Sequence, residues 1–141
     1  SSFPCDIYNN VVINAAEEGI VTNRTSGTTP VAPTIFNNTV VDCGLGGIQV
    51  SAGDGGFVRN NIVLNSSTAV TVGGTTTAAN NLTSGYTQSA LFVAPESGNY
   101  HLSVDNSDTR AVDGAGTDIA ATDYEGTSRS GTASKGAYEY S

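Results

Sequence analysis

Arg24, Arg59, Arg110, Arg129 and Lys135 are the whole basic inventory of the sequence, and His101 is its one histidine. A polysaccharide lyase draws on such groups, because abstracting a proton next to a uronate carboxylate takes a Lys or Arg base, a neutralising cation and often calcium held by carboxylates. The supply is thin, so no residue is assigned a catalytic role. The series Asp105, Asp108, Asp113, Asp118 and Asp123, with Gly114 and Gly116, is oxygen-rich enough to suit calcium. Its spacing matches neither an EF-hand nor a nonapeptide calcium repeat, so solvated acidic turns are expected and no metal or cofactor is assigned. His101 and Arg129 read as structural, with Arg129 paired to Asp123 or Glu125 in the same turn.

Carbohydrate binding finds better material in Tyr8, Phe36 and Arg59, which stand immediately ahead of three Asn-Asn pairs. Aromatic faces repeated at one position stack on sugar rings, and an arginine beside them takes an acidic group; the competing reading is plain cross-strand packing with a cation over an aromatic face.

That placement depends on the elements carrying the pairs. The segments Ile7–Asn14, Ile35–Asp42, Val58–Asn65 and Ala78–Gly85 can be laid over one another, each with Asn-Asn at its third and fourth positions and the first three followed by a β-branched or aliphatic run. The first Asn falls at 9, 37, 60 and 80, giving intervals of 28, 23 and 20, the spacing of solenoid coils. A second strand recurs as Gly19–Thr22, Gly47–Val50 and Ala69–Val72. Its alternation points Ile20, Ile48 and Val70 inward, then Thr22, Val50 and Val72, with Val21, Gln49 and Thr71 facing out. Asn tolerates the left-handed backbone of a sharp turn, and its amide can pair with the Asn of the coil above or below, about 4.8 Å away. Asn10, Asn38, Asn61 and Asn81 are therefore read as a structural ladder. An antiparallel sandwich would show hairpin turns every 8–12 residues without such recurrence. The expectation is an all-β, right-handed parallel β-helix of about four coils with an irregular C-terminal capping segment. It forms a single domain over 1–141, with coils over about 5–88 and the tail over about 89–141.

The formal net charge of -8 and the want of a basic stripe argue against a nucleic-acid partner. No stretch approaches the roughly 20 apolar residues of a membrane helix. The start, Ser1-Ser2-Phe3-Pro4, has no signal-peptide character, so an export signal is expected to have been removed already. The Lys-poor, Thr/Asn/Gly-rich composition fits an extracellular, secreted or cell-surface protein. Of the sequons at Asn23, Asn37, Asn65 and Asn81, Asn23 in the long 23–34 loop is the glycosylation candidate; Asn37 and Asn81 fall in the ladder pairs.

From Asn80 the chain carries Asn-Asn-Leu82, Leu91-Phe-Val-Ala-Pro95, Tyr100-His-Leu102, Asp123-Tyr-Glu-Gly126, Arg129 and Gly136-Ala-Tyr-Glu-Tyr140. In order and spacing this series resembles the closing segment of bacterial secreted right-handed β-helix proteins of the pectate-lyase-like superfamily. Two positions depart from the family pattern: Ser89-Ala90 replaces an acidic-Pro pair, and Ser134-Lys135 replaces Asp-Ile. The resemblance implies the fold, an extracellular setting and an association with polysaccharide, in a superfamily that spans enzymes, adhesins and structural parts. The first functional expectation is a structural or adhesive module; the alternative is a fragment or remnant of a polysaccharide lyase or hydrolase.

Cys5 and Cys43 match no metal or redox motif and are expected to form a disulfide. One 28-residue coil places Cys43 level with Ala15, so stacking alone does not pair it with Cys5. Either an N-terminal arm folds back, or Cys5 bonds Cys43 of the next subunit. The latter suits end-to-end self-assembly into a filament, expected from an uncapped first coil. Val12, Val40 and Val63 facing in leave Val11, Ile13, Val41, Ile62 and Leu64 facing out. These apolar positions need cover from the Tyr138–Tyr140 tail or from a neighbouring subunit.

Overall fold

The first Asn of each pair turns a corner. Asn9, Asn37, Asn60 and Asn80 all have φ between 52° and 56°, the left-handed region that Asn tolerates better than most residues because its short amide bonds locally. A computed structural model of the chain describes residues 3–23, 31–53, 55–111, 119–129 and 133–140. Each corner joins a strand of one sheet to a strand of the next: β1 (Phe3–Tyr8) to β2 (Val11–Ile13), β4 (Val31–Phe36) to β5 (Thr39–Val41), and β7 (Phe57–Arg59) to β8 (Ile62–Leu64). A second left-handed corner, at Asn14, Asp42 and Asn65 (φ 57°, 58° and 54°), ends β2, β5 and β8. The chain then enters β3 (Ile20–Thr22), β6 (Gly46–Gly53) and β9 (Thr68–Gly74) before returning to the first sheet, last as β10 (Thr77–Ala79).

Three parallel sheets result, ordered β1-β4-β7-β10, β2-β5-β8 and β3-β6-β9, so every strand pairs with the strand three elements further on. The molecule is thus all-β in its main body, with stacked parallel sheets; three successive strands make one tier. The register follows the repeat in the sequence, with Tyr8↔Phe36, Val12↔Val40 and Ile20↔Ile48, and then Phe36↔Arg59, Val40↔Val63 and Ile48↔Val70.

The space between the sheets is filled by Ile20, Ile35, Val40, Cys43, Ile48, Val50, Val58 and Val63, with Ile7, Val12, Val70 and Val72 against them. It is narrow: a Cβ on Gly47 would collide with the Val63 side chain and the Ala69 carbonyl, so only hydrogen fits. Within it runs the ladder of second asparagines. Asn38 Oδ1 accepts from the backbone N–H and Nδ2 of Asn10; Asn61 Oδ1 does the same for Asn38, and Asn81 Oδ1 for Asn61. The Nδ2 groups also donate to carbonyls, those of Ile35 and Arg59 for Asn61, so both buried turns are satisfied without water.

The outer face of β2-β5-β8 is apolar, as the alternation requires, and the same chain covers it. Val41, Ile62 and Leu64 pack with Leu82, Leu91, Phe92, Tyr100, Leu102, Ala137 and Tyr138, while Val11 and Ile13 lie against this second core. The cover is built from a short helix, α1 (Gln88–Leu91), the antiparallel pair β11 (Phe92–Ala94) and β12 (Asn99–Leu102), and the irregular segment that follows. Burying a side chain such as Ile62 or Leu64 is worth about 1.5–3 kcal/mol, which makes this flank a substantial part of the fold. The tail therefore runs along the side of the tiers. Asn9 Nδ2 donates to the Thr122 carbonyl, Asn37 Nδ2 to that of Ser134, and the Gly136 N–H to that of Asn60, tying it to three successive tiers. Among the described residues the fourth tier is incomplete, since beyond β10 only the parallel bridge Ile62↔Leu82 extends the second sheet.

Candidate functional site

Parallel register places Tyr8, Phe36 and Arg59 side by side at the end of the first sheet, on its outer face. The Tyr8 and Phe36 rings stack with centroids 5.0 Å apart and planes 16° from parallel. They are not equally available: Tyr8 is 49% exposed, whereas Phe36 is 7% exposed and supports Tyr8 more than it offers a face of its own. Arg59 reaches along its own strand, its guanidinium carbon 4.3 Å from the centroid of Phe57, a ring 37% exposed. Phe57 was not singled out from the sequence, because it stands two residues before Arg59 and opposite Thr34, outside the aromatic column. Period-two alternation puts Phe57 and Arg59 on one face, which is the signal that identifies it.

Arg110, Arg129, Lys135 and His101 are engaged in the fold as well. Arg129 does not pair with Asp123 or Glu125 as expected: its Nη1 meets Glu139 Oε2 at 3.1 Å and the Ser134 carbonyl at 2.7 Å, with the side chain almost fully buried. Burial pushes its pKa down while Glu139 and Asp123 push it up, the first effect being the larger. Arg110 forms a two-pronged exposed pair with Asp105. Lys135 is buried with Nζ on the Asp108 carbonyl, and burial lowers its pKa. His101 Nε2 lies 3.3 Å from Glu125 Oε1, with its ring against Tyr138. Arg24 lies outside the described residues.

The described members of the acidic series, Asp105, Asp108 and Asp123, serve separate contacts. Asp105 serves Arg110, and Asp123 is a buried turn acceptor taking the N–H groups of Glu125, Thr127 and Glu139. Burial opposes its ionisation, but those three donors and Arg129 outweigh it and hold the carboxyl below the ordinary value. Asp113, Gly114, Gly116 and Asp118 lie outside the described residues. Among the described residues no group of three or more His, Cys, Asp or Glu side chains is placed to hold a metal ion, and no helix is long and apolar enough to cross a membrane.

The expected disulfide is not formed: both thiols are free. Cys5 lies half-buried on β1 in register with Pro33, whereas Cys43 is 2% exposed in the inner core, where its Sγ donates to the Val41 carbonyl. A thiol in that position is out of reach of another subunit, so the intermolecular bridge is not available to the folded chain. Asn23 is exposed at the end of β3; the remainder of its sequon lies outside the described residues. Asn37 is fully buried, with its amide engaged by Ser134 and Ala120, which removes it as a glycan acceptor.

A cleft of about 540 Å³ opens where the second corner meets the tail. Its lining includes Asn14, Asp42 and Asn65 from the corner and Tyr86, Gln88 and Tyr100 from the segment that follows the tiers. Comparison with family models, curated proteins and solved structures finds no match to the chain.

Proposed function

We propose that the chain is part of a right-handed parallel β-helix of the pectate-lyase-like kind, an extracellular structural or adhesive module that lies against polysaccharide and stacks end to end. The observation that carries the carbohydrate reading is the exposed Tyr8 ring, held flat on Phe36 at 5.0 Å, with the Arg59 guanidinium in the next tier of the same face. A supported aromatic ring loses little freedom on stacking with a sugar, and a cation two tiers from Tyr8 meets an acidic substituent further along a polymer laid along the tiers. The engagement of Arg110, Arg129, Lys135 and His101 in structural contacts favours this reading over a lyase, whose base and neutralising cation must face the substrate.

Pull-down on immobilised acidic polysaccharide tests the proposal. Tyr8→Ala with Phe36→Ala is expected to lower retention about tenfold, and Arg59→Gln to remove its salt dependence. Because Phe36 also fills space, Tyr8→Ala with Phe57→Ala, both at exposed rings, serves as the fold-preserving variant. Equal retention of wild type and both double variants would remove the aromatic face from the proposal.

A further inference from the structure

The second corner contains a substitution that backbone geometry does not require. Asn14, Asp42 and Asn65 share one left-handed conformation, which Asn satisfies in the tiers on either side, yet the middle tier carries a carboxylate. Gln88 Nε2 donates to both Asp42 oxygens, at 2.8 and 2.9 Å, and Asn65 Nδ2 donates to Oδ1 at 3.1 Å. The carboxylate is therefore oriented from two sides by amides on different elements, with acceptor capacity left over, since an ionised carboxylate offers about four lone-pair sites. It stands at the wall of the 540 Å³ cleft, within the range of about 300–1,000 Å³ usual for small-ligand sites.

The rest of the cleft narrows the ligand chemistry. The half-buried Tyr86 is held by its hydroxyl, which accepts from Asn106 Nδ2 at 2.8 Å and donates to Asp108 Oδ2 at 3.2 Å. Tyr100 is a buried member of the lining, and desolvation together with Asp42 raises its pKa, so its phenol keeps its proton. Among the described residues of the lining, Asp42 and Glu96 are the charged groups and no basic side chain joins them, which disfavours an anionic ligand. The remaining acceptor sites of Asp42 lie beside amide N–H donors, a pairing that a hydroxyl, both donor and acceptor, uses more fully than a bare cation does. What remains is an uncharged molecule that offers hydroxyl donors to Asp42, hydroxyl acceptors to the amides and a C–H face to the tyrosines.

We propose that this cleft binds a neutral sugar unit, with Asp42 as the acceptor for its hydroxyls and Gln88 and Asn65 as the groups that hold Asp42 and bond the neighbouring oxygens. The choice of a sugar over another polyol rests on the reading of the chain as polysaccharide-associated; the site itself is separate from the Tyr8 face and opposite to it in charge preference. A polymer with both neutral and acidic residues engages the two sites through different units.

The 141-residue chain, isotopically labelled, is titrated by NMR with hexasaccharides of glucose, xylose, mannose and galactose, and with hexagalacturonate, each up to about 10 mM to capture weak single-site binding. At least one neutral hexasaccharide is expected to shift the side-chain amide resonances of Gln88 and Asn65, with hexagalacturonate about tenfold or more weaker there. Asp42→Asn keeps the shape and suits the left-handed backbone, and is expected to weaken binding about tenfold. Gln88→Ala, at a partly exposed position, is expected to act in the same direction and carries the test if Asp42→Asn perturbs the fold. No shift at Gln88 or Asn65 with any neutral hexasaccharide, tighter binding of hexagalacturonate there, or unchanged affinity in a folded variant overturns the proposal. Shifts confined to Tyr8 and Arg59 overturn it while leaving the outer-face reading intact; shifts confined to the cleft sink the outer-face reading and leave this one.

Discussion

At the scale of single residues, the two asparagines of each pair do different work. The second forms the internal ladder, which its recurrence at every coil announces, because identical polar residues stacked at 4.8 Å can satisfy each other. The first supplies the left-handed corner and sends its side chain outward to the tail, as Asn37 does to Ser134 and Ala120. That second role was not legible, since it depends on a segment some 80–100 residues away meeting the corner. Asp123 is a similar case: as a member of an acidic series it suggested solvent or calcium, whereas in the fold it accepts three backbone N–H groups. Its pKa is lowered on folding, so the unfolded chain binds the proton more tightly. The stability this contributes is present above the ordinary value of 3.8 and is lost as pH falls through the lowered folded value. Asp123→Asn is expected to cost about 1–3 kcal/mol at neutral pH and to flatten the fall in urea midpoint below about pH 4. Identical slopes for wild type and variant would show that the turn does not stabilise the ionised form.

At the scale of elements, the strands were readable and the cover was readable only as a need. Alternation through Val40 and Val63 requires Val41, Ile62 and Leu64 to face out, and three aliphatic residues facing out require a partner. The structure supplies it from the same chain, and at Gly136 the tail lies in close contact with the sheet. Its φ is 81°, and an added Cβ would lie 2.7 Å from both Ile62 Cδ1 and Thr39 Oγ1. The adjacent Ala137 N–H donates to that same Thr39 oxygen at 2.9 Å. Gly136→Ala combines a left-handed penalty with overpacking and is expected to destabilise by about 2–4 kcal/mol. Hydrogen exchange should locate the loss in β2-β5-β8 and the tail, with β3-β6-β9 protected as before. Uniform loss over all three sheets would mean that the flank and the inner core unfold as one unit.

At the scale of the whole molecule, β1, β2 and β3 are the edge strands at one end of the three sheets. In the proposed assembly a second copy of the chain pairs with these edges. Light scattering of the 141-residue chain is expected to show mass rising with concentration, unchanged by reductant because Cys43 is buried in the core. A constant monomer mass would remove end-to-end stacking. The outer flank of β2-β5-β8 plays no part in this expectation, since the tail has already buried it.

What the sequence determined by itself is most of what repeats, the second corner at Asn14, Asp42 and Asn65 excepted. Strand positions, register, inward and outward faces and the asparagine ladder all follow from one segment recurring along the chain, where each copy constrains the next through local geometry. What only the tertiary structure decided is where unlike segments meet: Arg129 with Glu139 instead of its neighbours in the turn, Cys43 in the core apart from Cys5, Arg59 over Phe57, and Asp42 gripped by Gln88 at the mouth of a cleft. Those contacts join positions that share no periodicity, and their geometry is set by how the tail packs against the flank, a long-range outcome that no spacing along the chain encodes.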